Sequence, residues 1–321
     1  MNTKFSFKFI TNGQDDFIDY LKGICIIWIV LTHALSFTCK DHILFDFWGC
    51  QAVPLFLLIQ VFHCCKHGYK RITDGYKLHK LFRRIIYPFI IIEIAAVILE
   101  MALRHDDYLL LFKAFIIQGG LGPGSYYVWI YLELYFLLPV VDHYILRRKN
   151  VMIICLLISI ALEVLCSYVH MHPFLYRLLF FRYFFLFYLG YIWAKKGVNL
   201  NFWTISLSIV SLIFIYIFKY TDLNLEPFFA KSDWKIFHWI TYFYVAFLLT
   251  WLIRKAFEYT PKRTNRIIRI CGKQSYNIFL WQMLVFLYFE TNAIIDIILC
   301  IFPFIFLEYY KNYKMTKTIQ Q

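Results

Sequence analysis

Two residues of the first long apolar segment, FIDYLKGICIIWIVLTHALSF, are of types that do chemistry: Lys22 near its start and His33 well inside it. Eleven residues is close to three helical turns. On a helix both side chains therefore lie on one face, about 16 Å apart along the axis. An ionisable group inside a membrane span is costly and marks a functional site by default. A cation at one membrane face, in line with an imidazole deeper in, suggests chemistry that connects two compartments. The plainer reading is a core histidine bonded to a neighbouring helix, and residue types alone leave the two evenly matched.

The elements that must position these residues are membrane helices. Of 321 residues, 61% are hydrophobic and 17% charged, against about half and about a quarter in a soluble domain. The apolar residues come in runs of about 20, the length that crosses a bilayer as helix. Spans are expected near 17–38, 43–65, 83–103, 126–146, 151–169, 175–194, 202–218, 236–256, 274–289 and 293–310. The expected fold is all-α, a polytopic membrane protein of about ten transmembrane helices in one domain covering 1–321, with a disordered tail from 312. The run 109–118 is too short to cross and is expected to lie at the interface or re-enter. The GGLGPGS after it is a turn-rich break and not a phosphate loop, because no Gly-Lys-Ser/Thr follows.

Charge sets direction. Most of the 33 Lys and Arg fall in alternate connections: the N-terminal arm, 66–84, 147–149, 195–196, 254–273 and the tail. The positive-inside rule then places both termini in the cytoplasm. The net charge of +13 is thereby explained by topology, and no basic-aromatic interleaving in a polar domain points to nucleic acid. The first span is expected to be a retained anchor, since no small-residue cleavage site follows a short apolar core. Nine cysteines are scattered without metal-type spacing, and His170 and His172 have no carboxylate or thiolate at ligand distance in sequence, so no metal is expected. Cys39 and Cys50 flank the first short loop and would be able to pair in an oxidising space. No matched pair of broken helices suggests an inverted repeat, which weakens a glycan or lipid transporter reading without removing it.

Several segments, in order, carry a likeness to a known family. FIDYLKGICIIWIVLTHAL has a basic residue, ten intervening residues and His; QAVPLFLLIQVF, KLFRRIIYPFI, GPGSYYVWIYLELYFLLP, FRYFFLFYLGYIWAKKG and CGKQSYNIFLWQML follow. Together, over about residues 16 to 285, they resemble the membrane acyltransferase-3 family, bacterial proteins that acylate cell-surface glycans and related acceptors. The chain departs from that pattern at Lys22, where the family most often has Arg, at Gln60 and Val61, where it usually has Ser-Gly, and at Gln282, where it often has His.

The resemblance implies an O-acyltransferase of the bacterial cytoplasmic membrane, moving an acyl group, acetyl by default, from acyl-CoA to a hydroxyl of a glycan or lipid-linked sugar. His33 would be the base, or a transient acyl carrier, with Glu133 orienting it. Lys22, Lys80, Arg83 and Arg84 would hold coenzyme A phosphates by charge-assisted hydrogen bonds. Tyr126, Tyr127, Trp129, Arg182, Gln60, Ser275 and Gln282 would line the acceptor pocket. Taken singly, the aromatics read as an interfacial belt and Arg182 as a snorkelling helix-end charge. Glu93 and Glu100 receive no role.

Overall fold

The computed structural model describes residues 5–7, 16–67, 75–103, 108–221, 238–289 and 292–319. Most of the N-terminal arm, the middle of the 66–84 connection and the first residues of the span expected at 236–256 lie outside the described residues. The helices are α1 Asp16–Ala34, α2 Phe37–His42, α3 Ala52–His67, α4 Gly75–Leu81, α5 Tyr87–Leu103, α6 Tyr108–Gln118, α7 Tyr126–Val141, α8 Val151–Tyr168, α9 Pro173–Leu178, α10 Leu186–Lys196, α11 Phe202–Tyr220, α12 Tyr242–Tyr244, α13 Thr250–Tyr259, α14 Lys262–Lys273, α15 Ser275–Tyr288 and α16 Ala293–Ile319. One small addition to the all-α expectation is an antiparallel ribbon, β1 Phe5–Phe7 with β2 Val198–Leu200, in which Ser6 faces Asn199.

Among the described residues, eight helical stretches are long and apolar enough to cross a bilayer: Asp16–Ala34, Phe45–Lys66, Leu78–Leu103, Tyr126–Leu146, Val151–Tyr168, Phe202–Tyr220, Trp239–Tyr259 and Ala293–Lys311. They coincide with eight of the expected spans. π-type turns widen three of them: Phe82–Ile86 and Val245–Leu249 lie within their helices, and Asp142–Leu146 forms the last turn of its own. The other two expected spans are shorter elements. The run 175–194 is broken into α9, a 3-10 turn at Phe180–Tyr183, and α10, with Leu179 extended between them. The run 274–289 holds α15, whose 14 residues reach about 21 Å, short of a hydrocarbon core of about 30 Å. The expected re-entrant or interfacial run is α6, 11 residues long. α16 continues to Ile319, so the expected tail is helical to that point; after Pro303 no Gly or Pro interrupts it.

The chain divides into two compact units, one of Met1–Phe9 with Val53–Trp251, the other of Ile10–Ala52 with Leu252–Gln321. In the second, α1 lies against α14 at two glycines. A Cβ on Gly23 would stand 2.0 Å from the Ile268 carbonyl oxygen, and one on Gly272 would stand 1.7 Å from that of Asp19. Lipid tails are as apolar as Leu, so burial alone does little to hold spans together; close backbone approach through small residues does. Around this crossing Arg269 pairs with Asp16, Arg254 covers the Phe17 ring at 4.9 Å, and Tyr20 packs on Phe257 at 5.1 Å. The Asn265 side chain donates to the carbonyls of Phe257 and Thr260, fixing the α13–α14 corner. Gln274 donates to Glu308 at 2.9 Å and Trp281 to the Leu299 carbonyl at 3.0 Å, tying in α16.

Cys271, buried beside this crossing, has its thiol pushed up to about 11 by burial. Its thiolate fraction at pH 8 is then about one in a thousand, and the thiolate is the reactive form. Gly272→Ala is expected to force the two backbones apart, costing about 2–3 kcal/mol of stability in detergent and making Cys271 alkylate readily at pH 8. A Gly272→Ala protein with unchanged melting and a still inert Cys271 contradicts the crossing.

Candidate functional site

Each unit gathers part of the sequence-derived set. In the unit of α1 and α14–α16, the buried residues of α1 include Ile26, Ile29 and Val30. Lys22 and His33 extend that same stripe at its two ends, by the helical repeat. Lys22 is half-buried, its side chain 28% exposed, and stands 3.9 Å from Asp19. His33 is exposed. The imidazole thus ends the packed face of α1 on its exposed side. Its ring lies 5.7 Å from that of Phe286 on α15. Ser275, Phe279, Gln282 and Phe286 recur at helical spacing on α15, so they share one side of it. Gln282 is fully buried one turn from Phe286. His33, Gln282 and Ser275 therefore belong to one helix pair, with a base at its accessible end.

The other unit holds a buried polar cluster. Arg182, 1% exposed, sits in the break between α9 and α10. Its guanidinium lies over the rings of Tyr183 at 4.5 Å, Tyr176 at 5.8 Å and Tyr126 at 6.0 Å, and it reaches the Arg177 carbonyl at 3.5 Å. Arg177 covers the other side of Tyr126 at 5.0 Å. Tyr183 stacks on Tyr242 with ring planes 5° apart. Tyr176 donates its hydroxyl to Glu163 at 2.8 Å, and the His238 Nε2 stands 3.5 Å from the same carboxylate oxygen. Since His238 Nδ1 accepts the Ile240 N–H, its proton sits on Nε2, facing Glu163. Irregular backbone at membrane depth survives only where protein or water surrounds it, and Tyr183, Phe184, Phe185, Leu186 and Phe187 are all buried.

Tyr126 and Trp129 stand at the start of α7, directly after the glycine-rich turn. Trp129 Nε1 donates to the Gly119 carbonyl at 2.7 Å and Arg177 to the Gln118 carbonyl at 3.4 Å. Glu133, two turns along α7 from Tyr126, takes the N–H of Phe180, two residues before Arg182. Tyr127 points away from it, against Phe56 and Tyr131. Gln60 donates to the Tyr131 carbonyl at 2.8 Å, joining α3 to α7. Lys80, Arg83 and Arg84 are all exposed around the first insertion of the third long helix. No disulfide joins Cys39 and Cys50, and the Cys50 thiol donates to an Asp46 oxygen at 3.3 Å. Among the described residues no group of three His, Cys, Asp or Glu is arranged to hold a metal.

A family model described as an acyltransferase domain matches residues 15–307, nearly the whole chain and both units. The chain belongs to the acyltransferase-3 family. With its eight long apolar helices it is a multi-pass membrane acyltransferase. No curated protein and no solved structure matches it. The structure also brings together residues to which sequence reading gave no specific role. Glu163, Tyr176, His238 and Tyr242 meet across large sequence separations that leave no local pattern. Glu93 carried one signal, a carboxyl in the middle of an apolar span.

Replacing Tyr176 by Phe is expected to leave the buried Glu163 short of a donor and to cost about 1–3 kcal/mol, read as a fall in melting temperature in detergent. The same change at Tyr168, 82% exposed, is expected to have no effect. Equal effects at the two positions contradict the cluster.

Proposed function

We propose that this membrane acyltransferase moves an acyl group, acetyl by default, from cytoplasmic acyl-CoA to a hydroxyl of a cell-surface or lipid-linked glycan. The observation that carries the reading is the exposed His33 closing the stripe begun by Lys22 on α1, in a chain of the acyltransferase-3 family. A hydroxyl is a poor nucleophile until a base takes its proton, and neutral imidazole is suited to that at ordinary pH. In direct transfer His33 accepts the hydroxyl proton, the oxygen adds to the thioester carbonyl, the C–S bond breaks and the proton leaves with the coenzyme A thiolate. In the two-step variant the ring nitrogen takes the acyl group first and passes it on.

The exposed Lys80, Arg83 and Arg84 suit the phosphates of coenzyme A, and Lys22 adds a point charge about 16 Å from the imidazole along α1. Lys in place of the family's usual Arg keeps that charge but gives up bidentate grip. Tyr126 and Trp129 offer ring faces for a sugar, and Arg182 with Glu133 supplies polar contacts beside them. Gln282 and Ser275 are assigned to hold the base side. The α9 to α10 region and α15 complete ten crossings with both termini in the cytoplasm, consistent with the alternation of basic connections. The membrane is the bacterial inner membrane.

In proteoliposomes supplied with acetyl-CoA and an extract of membrane glycans, the wild-type chain is expected to release free coenzyme A. The His33→Ala chain, inserted to the same extent, is expected to lose that activity by about 100-fold or more. Equal activity in the variant contradicts the role of His33, and intact acetyl-CoA with the wild type favours a glycan exporter.

A further inference from the structure

Glu93 has no task in the scheme above, yet it is a carboxyl group 3% exposed in the middle of α5, within a helix suited to crossing the bilayer. Such a group is expensive there and needs a reason. Its Oε2 accepts the backbone N–H of Leu121 at 2.7 Å. Its Oε1 faces Gly120 and has no hydrogen-bond partner among the described residues. A Cβ on Gly120 would stand 2.4 Å from that oxygen, and Gly120 has φ +130°. α5 thus grips two successive residues of the 119–125 turn, one by a hydrogen bond and one by a contact that only glycine permits.

The turn has little other means of keeping one shape. Gly119, Gly120, Gly122 and Gly124 all have positive φ, and glycines carry the largest backbone freedom. Further ties come from the residues it presents: Ser125 donates to the Gly120 carbonyl at 3.2 Å and Trp129 to that of Gly119. Just before it, Gln118 receives Arg177, which lies over Tyr126. Glu93 holds this turn from α5, outside the acceptor-side cluster.

We propose that Glu93 is the positioning residue of that cluster: by clasping the 119–125 turn it fixes the rings of Tyr126 and Trp129 at the place where the acceptor sugar is held. The inference rests on the acyl-transfer reading for its functional half and on the turn's geometry for the other. The hydrogen bond and not the charge carries the effect. Gln at 93 keeps an oxygen that accepts from Leu121; Asp keeps the charge but is one methylene too short to reach it.

The test compares full-length wild type, Glu93→Gln, Glu93→Asp and Glu93→Ala in native membranes and in nanodiscs. Hydrogen exchange is followed in the peptide containing 119–125, and label from radioactive acetyl-CoA is followed into the membrane glycan fraction. Glu93→Asp and Glu93→Ala are expected to speed exchange of the turn by about tenfold and to cut incorporation by about 30-fold, with the acetyl-CoA KM within about twofold of wild type. Glu93→Gln is expected to restore both. If the Ala variant fails to fold, the Gln and Asp pair decides alone. Gln as damaging as Asp, faster exchange with full incorporation, or a raised acetyl-CoA KM overturns the proposal. Wild-type membranes that incorporate no label sink the acyl-transfer reading instead, and exchange at the turn then judges the clasp by itself.

Discussion

The backbone contact between α1 and α14 at Gly23 and Gly272 is the constraint on which the placement of Lys22 and His33 depends. Inside a bilayer no hydrophobic force favours one apolar neighbour over another, so helices are held by close packing and by polar bonds. Two absent side chains let α1 approach α14 until carbonyl oxygens occupy the space a Cβ would fill. The ion pair of Arg269 with Asp16 and the cover of Arg254 over Phe17 pin the same end of α1. The helix that carries the imidazole is thereby anchored at its charged end, while its other end, at His33, stays open.

The unit of Met1–Phe9 with Val53–Trp251 meets the opposite problem, how to keep charge and broken backbone inside a membrane protein. Burying a lone ion costs several kcal/mol even after relaxation, and the cost is recovered only with good partners. Arg182 is enclosed by tyrosine rings and Glu163 is bonded by Tyr176. These groups sit where the helix is interrupted, between α9 and α10, and beside a turn made of glycines. Spending polar contacts on such irregular segments stabilises a particular geometry, which is what a binding surface for a polar acceptor requires.

Much of the fold was legible because a bilayer imposes length. Eight of the expected spans are long helices, and GGLGPGS is the turn its glycines announced. The break at Leu179 was hidden: FLYRLLFFRYFFLFYL is apolar and aromatic apart from Arg177 and Arg182, with no Gly or Pro until Gly190, so a hydropathy window passes over it. Of the tail expected to be disordered from 312, the described part is helix as far as Ile319. On the site, polarity within an apolar run marked His33, and family spacing marked Tyr126, Trp129 and Arg182, of which Tyr126 and Arg182 meet in one buried cluster. Glu93 and the Glu163–Tyr176–His238 contacts were out of reach, because a side chain that bonds a backbone amide or a ring many residues away leaves no periodic trace.

The central claim is that His33, at the open end of an anchored helix, drives acyl transfer to a glycan. Mass spectrometry of surface and lipid-linked glycans tests it most directly, comparing cells that carry the wild-type chain with cells that carry an equally inserted His33→Ala chain. The account predicts a glycan heavier by one acyl group in the wild type alone, with the mass naming the donor. Identical glycans in the two strains, or an acyl group that persists without His33, would contradict it.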